Sequence, residues 1–286
     1  MNVSALVCIT DPVARQDPWF ESISSVLPWA DEVIVVCGKP ETDIPLIKGA
    51  WTDQSKFKLI DYPWATDWSW EELPKHLNRG LEEASGDWVI RFDIDYAFHE
   101  NDSFTLRDAL TKGQDCKIAN FQKMSAVLST KFYSKGEIAL GINKRFPEVC
   151  FGIDENKVTD LCVPIIKTGT HESGIPKGHL VETGGLKRTG VRVYNYDYTF
   201  KTKEFTQREF YRFSMAYKRF YGSSKWGQDE EEALTKFMNS MEARLKNREP
   251  VEILVDEQPL VMRSIIKNIK PEQFGFNGWG HLDENK

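Results

Sequence analysis

The chain is short of several things, and each shortage removes a class of protein. Its 286 residues hold five cysteines, Cys8, Cys37, Cys116, Cys150 and Cys162, an odd number with no C-x-x-C pair. That argues against a disulfide framework and against zinc-site spacing, so the thiols are expected to be free, mostly buried, and in a reducing compartment. No apolar run approaches the roughly 20 residues of a membrane-spanning helix. The opening stretch 1–10 is apolar but short and lacks a basic flank, so no secretory leader is expected. The expected location is the cytoplasm, with peripheral contact at the inner membrane face left open. Basic charge is not in excess either: 37 Lys and Arg face 43 Asp and Glu, for a net charge of −6. A nucleic-acid binder that works by phosphate neutralisation is therefore not expected. There is no internal repeat and no low-complexity tract.

What is present centres on Asp87-Trp88-Val89-Ile90-Arg91-Phe92-Asp93-Ile94-Asp95. An apolar run after Gly86 ends in two carboxylates one residue apart. Read as a strand, it puts Asp93 and Asp95 on one side, about 6–7 Å apart at the Cα atoms. Converging carboxylates repel unless a cation neutralises them, and Mg²⁺ or Mn²⁺ suits an oxygen site of this kind. The alternative is a strand that runs out into a solvated acidic turn, since a bare D-x-D is common.

The order of elements supports a site. Residues 3–10 read as a first strand, Asp17-Pro18 as a helix start, and 32–37 as a second strand apolar enough to be buried on both faces. Gly38-Lys39-Pro40 reads as a loop, 57–60 as a third strand, and Leu73, Leu77, Leu81 and Ala84 as the apolar stripe of a helix. This β-α-β-β-α-β order predicts a mixed, mostly parallel sheet flanked by helices. Ligands of such sheets bind beyond the carboxyl ends of the strands. Thr10-Asp11, Cys37-Gly38 and Asp93-Ile94-Asp95 all fall at such ends.

Those residues resemble a family. Ser25-Val26-Leu27-Pro28-Trp29-Ala30-Asp31-Glu32-Val33-Ile34-Val35-Val36, followed by Leu77-Asn78-Arg79-Gly80-Leu81-Glu82-Glu83-Ala84-Ser85-Gly86-Asp87-Trp88 and Asp93-Ile94-Asp95, is similar to two blocks of the family 2 glycosyltransferases, in their usual order and separation. The match is good over roughly the first hundred residues and loose beyond. Thr168-Gly169-Thr170-His171-Glu172 resembles a segment of the bacterial lipopolysaccharide and capsule branch.

The resemblance implies a GT-A fold and a metal-dependent transfer of sugar from a UDP-, GDP- or dTDP-sugar to a glycan, glycolipid or other hydroxyl acceptor. It implies metal binding, as Mn²⁺ or Mg²⁺, at Asp93 and Asp95. Donor contacts are implied at Thr10, Asp11, Cys37, Asn78, Arg91, Asp93 and Ile94. Glu172 is the first candidate base for the acceptor hydroxyl, with Asp154 and Asp160 behind it. Inversion is the expected course, though the sequence leaves retention open. Asn195 stands where the family's third metal ligand, a histidine, is usual, and His171 or His179 could substitute. Cys37 stands where an aspartate is usual, and a thiol cannot accept a base N–H as a carboxylate does.

Expected boundaries are residues 1–200 for the catalytic domain, with 1–100 as the nucleotide-sugar half and 101–200 as the acceptor half. Residues 201–286 are expected to form a mainly helical extension packed on it. Its basic aromatic helix, with Arg208, Arg212, Lys218 and Arg219, could also lie against an anionic membrane or acceptor. Two other readings compete. Phe92-Asp93-Ile94-Asp95 also looks like the start of the haloacid dehalogenase motif of phosphatases and phosphotransferases, but it continues Tyr96-Ala97 instead of Gly-Thr. A non-catalytic sugar-nucleotide-binding module on the same fold is the third.

Overall fold

The computed structural model describes residues 1–66, 68–155, 162–180, 185–223, 226–247 and 249–277. In chain order these form β1 Val3–Ile9, α1 Trp19–Val26, β2 Glu32–Cys37, α2 Pro40–Ala50, β3 Phe57–Asp61, α3 Glu72–Glu83, β4 Trp88–Arg91, β5 Tyr96–Phe98 and α4 Ser103–Lys112. Then come β6 Ile118–Ala126, β7 Phe132–Asn143, β8 Val149–Asp154, β9 Val163–Thr170, β10 Pro176–His179 and β11 Leu186–Asn195. The chain continues with α5 Lys203–Tyr221, α6 Glu230–Asn247, β12 Val251–Glu252, α7 Leu260–Lys267 and α8 Phe274–Asn277.

The main sheet runs β3-β2-β1-β4-β7-β6-β11-β5, with β12 beside β7. The pairings β1–β2, β1–β4, β2–β3 and β6–β11 are parallel. Only β7 and β5 run against the rest, so the sheet is mixed but mostly of one direction, as expected. A small second sheet of β8, β9 and β10 closes on itself. Strand alternation sorts the core. Ala5, Val7, Ile9, Val33, Val35 and Cys37 join the apolar layer that also holds Ile23 and Val26 of α1. Leu6, Ile34 and Val36 join the opposite layer, against Leu77 of α3. Period-two side chains buried on both faces are what a central parallel strand requires.

Three local expectations change. Residues 40–50 form a helix, not a continued loop. Pro40 sits at its first position and Pro45 inside it, a sequence with weak helical preference. The Asp43 side chain holds this start in place, accepting the N–H groups of Lys39 and Asp11, both at 2.8 Å. The order is thus β-α-β-α-β-α-β. Second, Asp17 does not cap α1. It is buried in ion pairs described below. Third, Gly86 does not close α3, which ends at Glu83 with Ala84 as its C-cap. Gly86 is needed because a Cβ there would lie 2.5 Å from Ser4 Oγ and 2.7 Å from Ser4 N.

Asn78 shows how a residue of the resembling motif is spent on the fold. From α3 its Nδ2 donates to Phe151 O at 2.8 Å, and its Oδ1 accepts from Phe151 N at 2.9 Å. The amide thus fastens the small sheet to α3 and is not free for a donor sugar nucleotide. Asn78→Ala would leave two strand backbone groups without partners, and is expected to lower unfolding free energy by about 1–3 kcal/mol. Urea denaturation measures this, and nucleotide affinity should stay within about twofold of wild type.

Candidate functional site

β4 stops at Arg91, so Asp93-Ile94-Asp95 is not strand but a tight turn into β5. Tyr96 N donates to Asp93 O at 2.9 Å, and the Ser22 hydroxyl of α1 lies 2.6 Å from Tyr96 O and 3.1 Å from Asp93 O. The two carboxylates therefore do not share a side by strand alternation; the turn gives each its own surroundings. Asp93 is gripped by Arg91, whose Nη2 lies 2.8 Å from Oδ1 and 3.1 Å from Oδ2, with Nε at 3.2 Å from Oδ1. Arg91 also donates to Cys162 O and is held above its ordinary range despite its burial, because Asp93 is beside it. Asp95 has no such partner. Its Oδ1 is sealed from solvent and has no hydrogen-bond partner. Burial first, then Asp197 and Asp93, push its carboxyl well above the usual range.

Asp197 arrives beside Asp95 because β11 continues past its end. Tyr196 N donates to Asp95 O at 2.9 Å, so the next residue stands against the turn. Asn195 Oδ1 accepts Asp197 N at 2.8 Å. One lone pair of the Asn195 oxygen is thus engaged in orienting Asp197. Burial raises the Asp197 carboxyl to about 6, with Lys201 opposing the shift. Lys123 of β6 is lowered by burial, against the pull of Asp95, Asp93 and Asp197; its Nζ lies 2.9 Å from Tyr96 Oη.

Around this pair lies a cavity of about 510 Å³ at the carboxyl ends of β1 and β4. Its wall combines Cys8, Thr10, Trp64, Ala65, Trp68 and Leu73 with the carboxylates of Asp17, Asp93, Asp95, Asp197 and Glu209 and the cations Arg15, Lys201, Arg212 and Arg219. Four of these charges close a ring. Arg15 Nε is 3.0 Å from Asp17 Oδ2 and its Nη2 is 2.7 Å from Glu209 Oε1. Lys201 Nζ is 2.9 Å from Asp17 Oδ1 and 2.7 Å from Glu209 Oε2. Burial opposes the Lys201 charge, yet Asp17 and Glu209 hold it above its ordinary range. Asp11, Gln16 and Tyr198, with φ of 44°, 56° and 63°, adopt left-handed backbone along the chain segments that carry these groups. Each costs on the order of 1–3 kcal/mol, a strain that concentrates at functional sites.

The remaining expected residues divide. Thr10, Arg91 and Ile94 lie at or in the cavity wall, Arg91 through Asp93. Asp11 points elsewhere, paired to Lys39 Nζ at 2.8 Å. The Cys37 thiol turns into the core, 3.7 Å from Val35 O, and burial pushes it up to about 12. Neither Asp11 nor Cys37 lines the cavity. Glu172 and His171 sit on the turn between β9 and β10, outside the cavity wall; Glu172 is exposed, and the His171 ring lies 2.8 Å from Ser173 Oγ and 5.2 Å from the Phe220 ring. His179 is 3.4 Å from Glu155. Asp154 is buried at the end of β8, and Asp160 lies outside the described residues, as does the tail 278–286. Of the basic helix, Arg212 and Arg219 reach the cavity wall while staying exposed: Arg212 lies 5.8 Å over the Trp68 ring and Arg219 donates to Trp68 O.

Sequence reasoning passed over Arg15, Asp197, Lys201 and Glu209 as site residues, and read Asp17 as a cap. Nothing local marks Arg15 or Glu209. The Trp64, Trp68 and Trp70 cluster after β3 was the one available signal: aromatics that dense beyond a strand end belong to a wall or a ligand. Among the described residues, no group of three or more His, Cys, Asp or Glu side chains is disposed to hold a metal, and no helix is long and apolar enough to cross a membrane.

No family model matches the sequence, and no curated protein does. Solved structures similar to this chain include the mannosyltransferase PcManGT from Pyrobaculum calidifontis in complex with GDP-Man and Mn²⁺, at 12% identity and a TM-score of 0.43, over 86% of this chain and 72% of that one. TarS residues 1–349 from S. aureus in complex with UDP-GlcNAc is 10% identical, with a TM-score of 0.39, over 100% of this chain and 91% of that one. Glucosyl-3-phosphoglycerate synthase from Mycobacterium tuberculosis in complex with Mn²⁺, UDP and glucosyl-3-phosphoglycerate is 20% identical, with a TM-score of 0.31, over 44% of each chain. Likeness at this level assigns neither a family nor a substrate to the chain.

Proposed function

We propose that this chain is a metal-dependent glycosyltransferase of the GT-A type, taking its sugar from a nucleoside diphosphate donor. The observation that carries the reading is the cavity at the strand ends, whose wall brings aromatic rings and charged groups together: the rings suit a planar base, and the charges suit a diphosphate with a cation. The sealed, unpartnered Asp95 Oδ1 fits a divalent cation, since a buried carboxylate oxygen without a donor needs a charge to offset it. Asp95 and Asp197 would hold that cation, whose chemistry when bound is to neutralise charge on the departing diphosphate. Asp93 is not given this role, because Arg91 already occupies both its oxygens. The same pairing disfavours Asp93 as a phosphate-attacking nucleophile.

The protein's own groups do the rest. Arg212 and Arg219 present cationic groups to the phosphates. The ring of Arg15, Asp17, Lys201 and Glu209 fixes the wall behind Asp197, so the charges there need no rearrangement as the diphosphate leaves. Glu172, outside the cavity, takes no part in this proposal.

Thermal-shift measurement with UDP, GDP and dTDP, with and without Mn²⁺, tests the reading. At least one diphosphate is expected to raise Tm only when Mn²⁺ is present. Metal binding requires ionised carboxylates, and burial raises both Asp197, to about 6, and Asp95, well above the usual carboxylate range. Mn²⁺ affinity should therefore still be rising with pH above 6 and should decline by at least about tenfold per pH unit below it. Equal shifts in EDTA would remove the cation from the proposal, and no shift with any diphosphate would remove the donor.

A further inference from the structure

Asp197 and Lys201 stand four residues apart, the spacing at which opposite charges pair along a helical turn. Here they do not pair. Tyr198, at a φ of 63°, takes the chain out of the helical path directly after Asp197. The Lys201 backbone is then fixed from two sides. Its O accepts Phe274 N at 3.1 Å, and the next residue, Thr202, donates its N–H to Gln16 Oε1 at 2.8 Å. The Lys201 ammonium ends between Asp17 Oδ1 at 2.9 Å and Glu209 Oε2 at 2.7 Å, and among the described residues no ion pair joins it to Asp197.

The charges around it balance in groups. Arg15 and Lys201 offset Asp17 and Glu209. Arg91 offsets Asp93. The pair formed by Asp95 and Asp197, once ionised, carries two negative charges, which a divalent ion matches. After burial, the strongest influences on Asp197 are the charge of Lys201, which favours its ionised form, and that of Glu209, which opposes it; Lys123 and Arg244 act more weakly. Lys201 is thus the protein's own competitor for the place of the ion.

We infer that Asp17 and Glu209 are positioning residues for the cation site: by sharing the Lys201 ammonium they keep it off Asp197, so that a divalent ion and not the lysine neutralises Asp95 and Asp197. The inference rests on the cation reading above and deepens it. An ammonium released onto Asp197 would have to be displaced before the ion entered, and would leave one negative charge there instead of two. Charges this deeply buried act on one another strongly and are little screened by salt.

The test is Mn²⁺ titration of the full chain at about pH 8, where the carboxylates are ionised. Binding is read from the electron paramagnetic resonance of free Mn²⁺, without nucleotide and with UDP or GDP. Glu209→Gln and Asp17→Asn each remove one negative charge from around Lys201 with little change of shape. Each is expected to weaken Mn²⁺ binding by at least about tenfold, although neither residue is a proposed ligand. Either variant serves if the other folds poorly. Combining Glu209→Gln with Lys201→Met removes the ammonium as well, and is expected to return Mn²⁺ affinity to within about threefold of wild type. Damage to the wall alone would not be repaired by a second deletion. Wild-type affinity in both single variants, or a loss in Glu209→Gln that the folded double variant keeps, would overturn the inference and leave the cation reading intact. No Mn²⁺ retained by wild type, alone or with either nucleotide, would overturn both.

Discussion

Asp95→Ala is expected to abolish the Mn²⁺-dependent Tm shift given by nucleoside diphosphates and to lower sugar transfer by about 10³-fold. Asp95 offers an oxygen that no described residue satisfies, and its carboxyl is raised by burial and by Asp197. Removing it deletes one of the two carboxylates proposed to hold the cation. Asp93→Ala should cost less, because Asp93 is already neutralised by Arg91. Stability without metal supplies an independent check of opposite sign. A carboxyl whose pKa folding raises keeps its proton more tightly in the folded chain, so its contribution is largest at low pH. That contribution is lost as pH climbs from the ordinary carboxylate value toward the raised one. Metal-free Asp95→Asn should therefore be at least as stable as wild type at about pH 8, having shed a buried charge. If Asp95→Ala binds Mn²⁺ and diphosphate as wild type does, Asp95 is no ligand, whatever its burial.

Lys201→Met is expected to destabilise the protein by about 3–5 kcal/mol. Lys201 is 4% exposed and touches Asp17 and Glu209, which are themselves almost fully buried. Removing the ammonium leaves two buried carboxylates sharing Arg15 alone. Breaking such a pair from one side costs far more than the intact pair contributes, since the stranded charges have no water to return to. The urea midpoint should fall by about 1–2 M for a chain of this size. Adding Glu209→Gln should recover part of the loss, because one of the stranded charges goes with it, and the double-variant cycle measures the coupling. The deficit should also shrink as pH falls through the carboxylate range and protons replace the lost ammonium. A loss below about 1 kcal/mol would mean that water, not Lys201, compensates the ring.

The two variants separate roles that the cavity wall mixes. Asp95 is predicted to be spent on a ligand and Lys201 on the fold that presents it. Asn78, a donor contact by resemblance, belongs with Lys201: its amide is fully engaged with Phe151.

Much of the frame was legible in the residues because the forces that set it are local. Short runs of Val and Ile with side chains alternating into two apolar layers mark β1 and β2 without reference to any partner. The aromatic and leucine stripes of α3, α5 and α6 mark helices in the same way. The carboxyl ends of those strands follow from their order, and with them the neighbourhood of Thr10 and Asp95. α2 was hidden because Pro45 and Gly49 oppose a helix locally, and a tertiary contact from Asp43 overrode that preference.

What the sequence by itself determined was the sheet, its mostly parallel order and the rim on which a site would stand, since hydrophobic period and turn residues act between near neighbours. Only the tertiary structure decided which charges stand free. It tied Asp93 to Arg91, turned Cys37 inward, left Glu172 outside, and gathered Arg15, Asp17, Lys201 and Glu209 from distant segments into one ring around Asp95 and Asp197. Whether a carboxylate is neutralised or left for a ligand depends on distances of a few ångströms between residues far apart in the chain, and no local pattern records them.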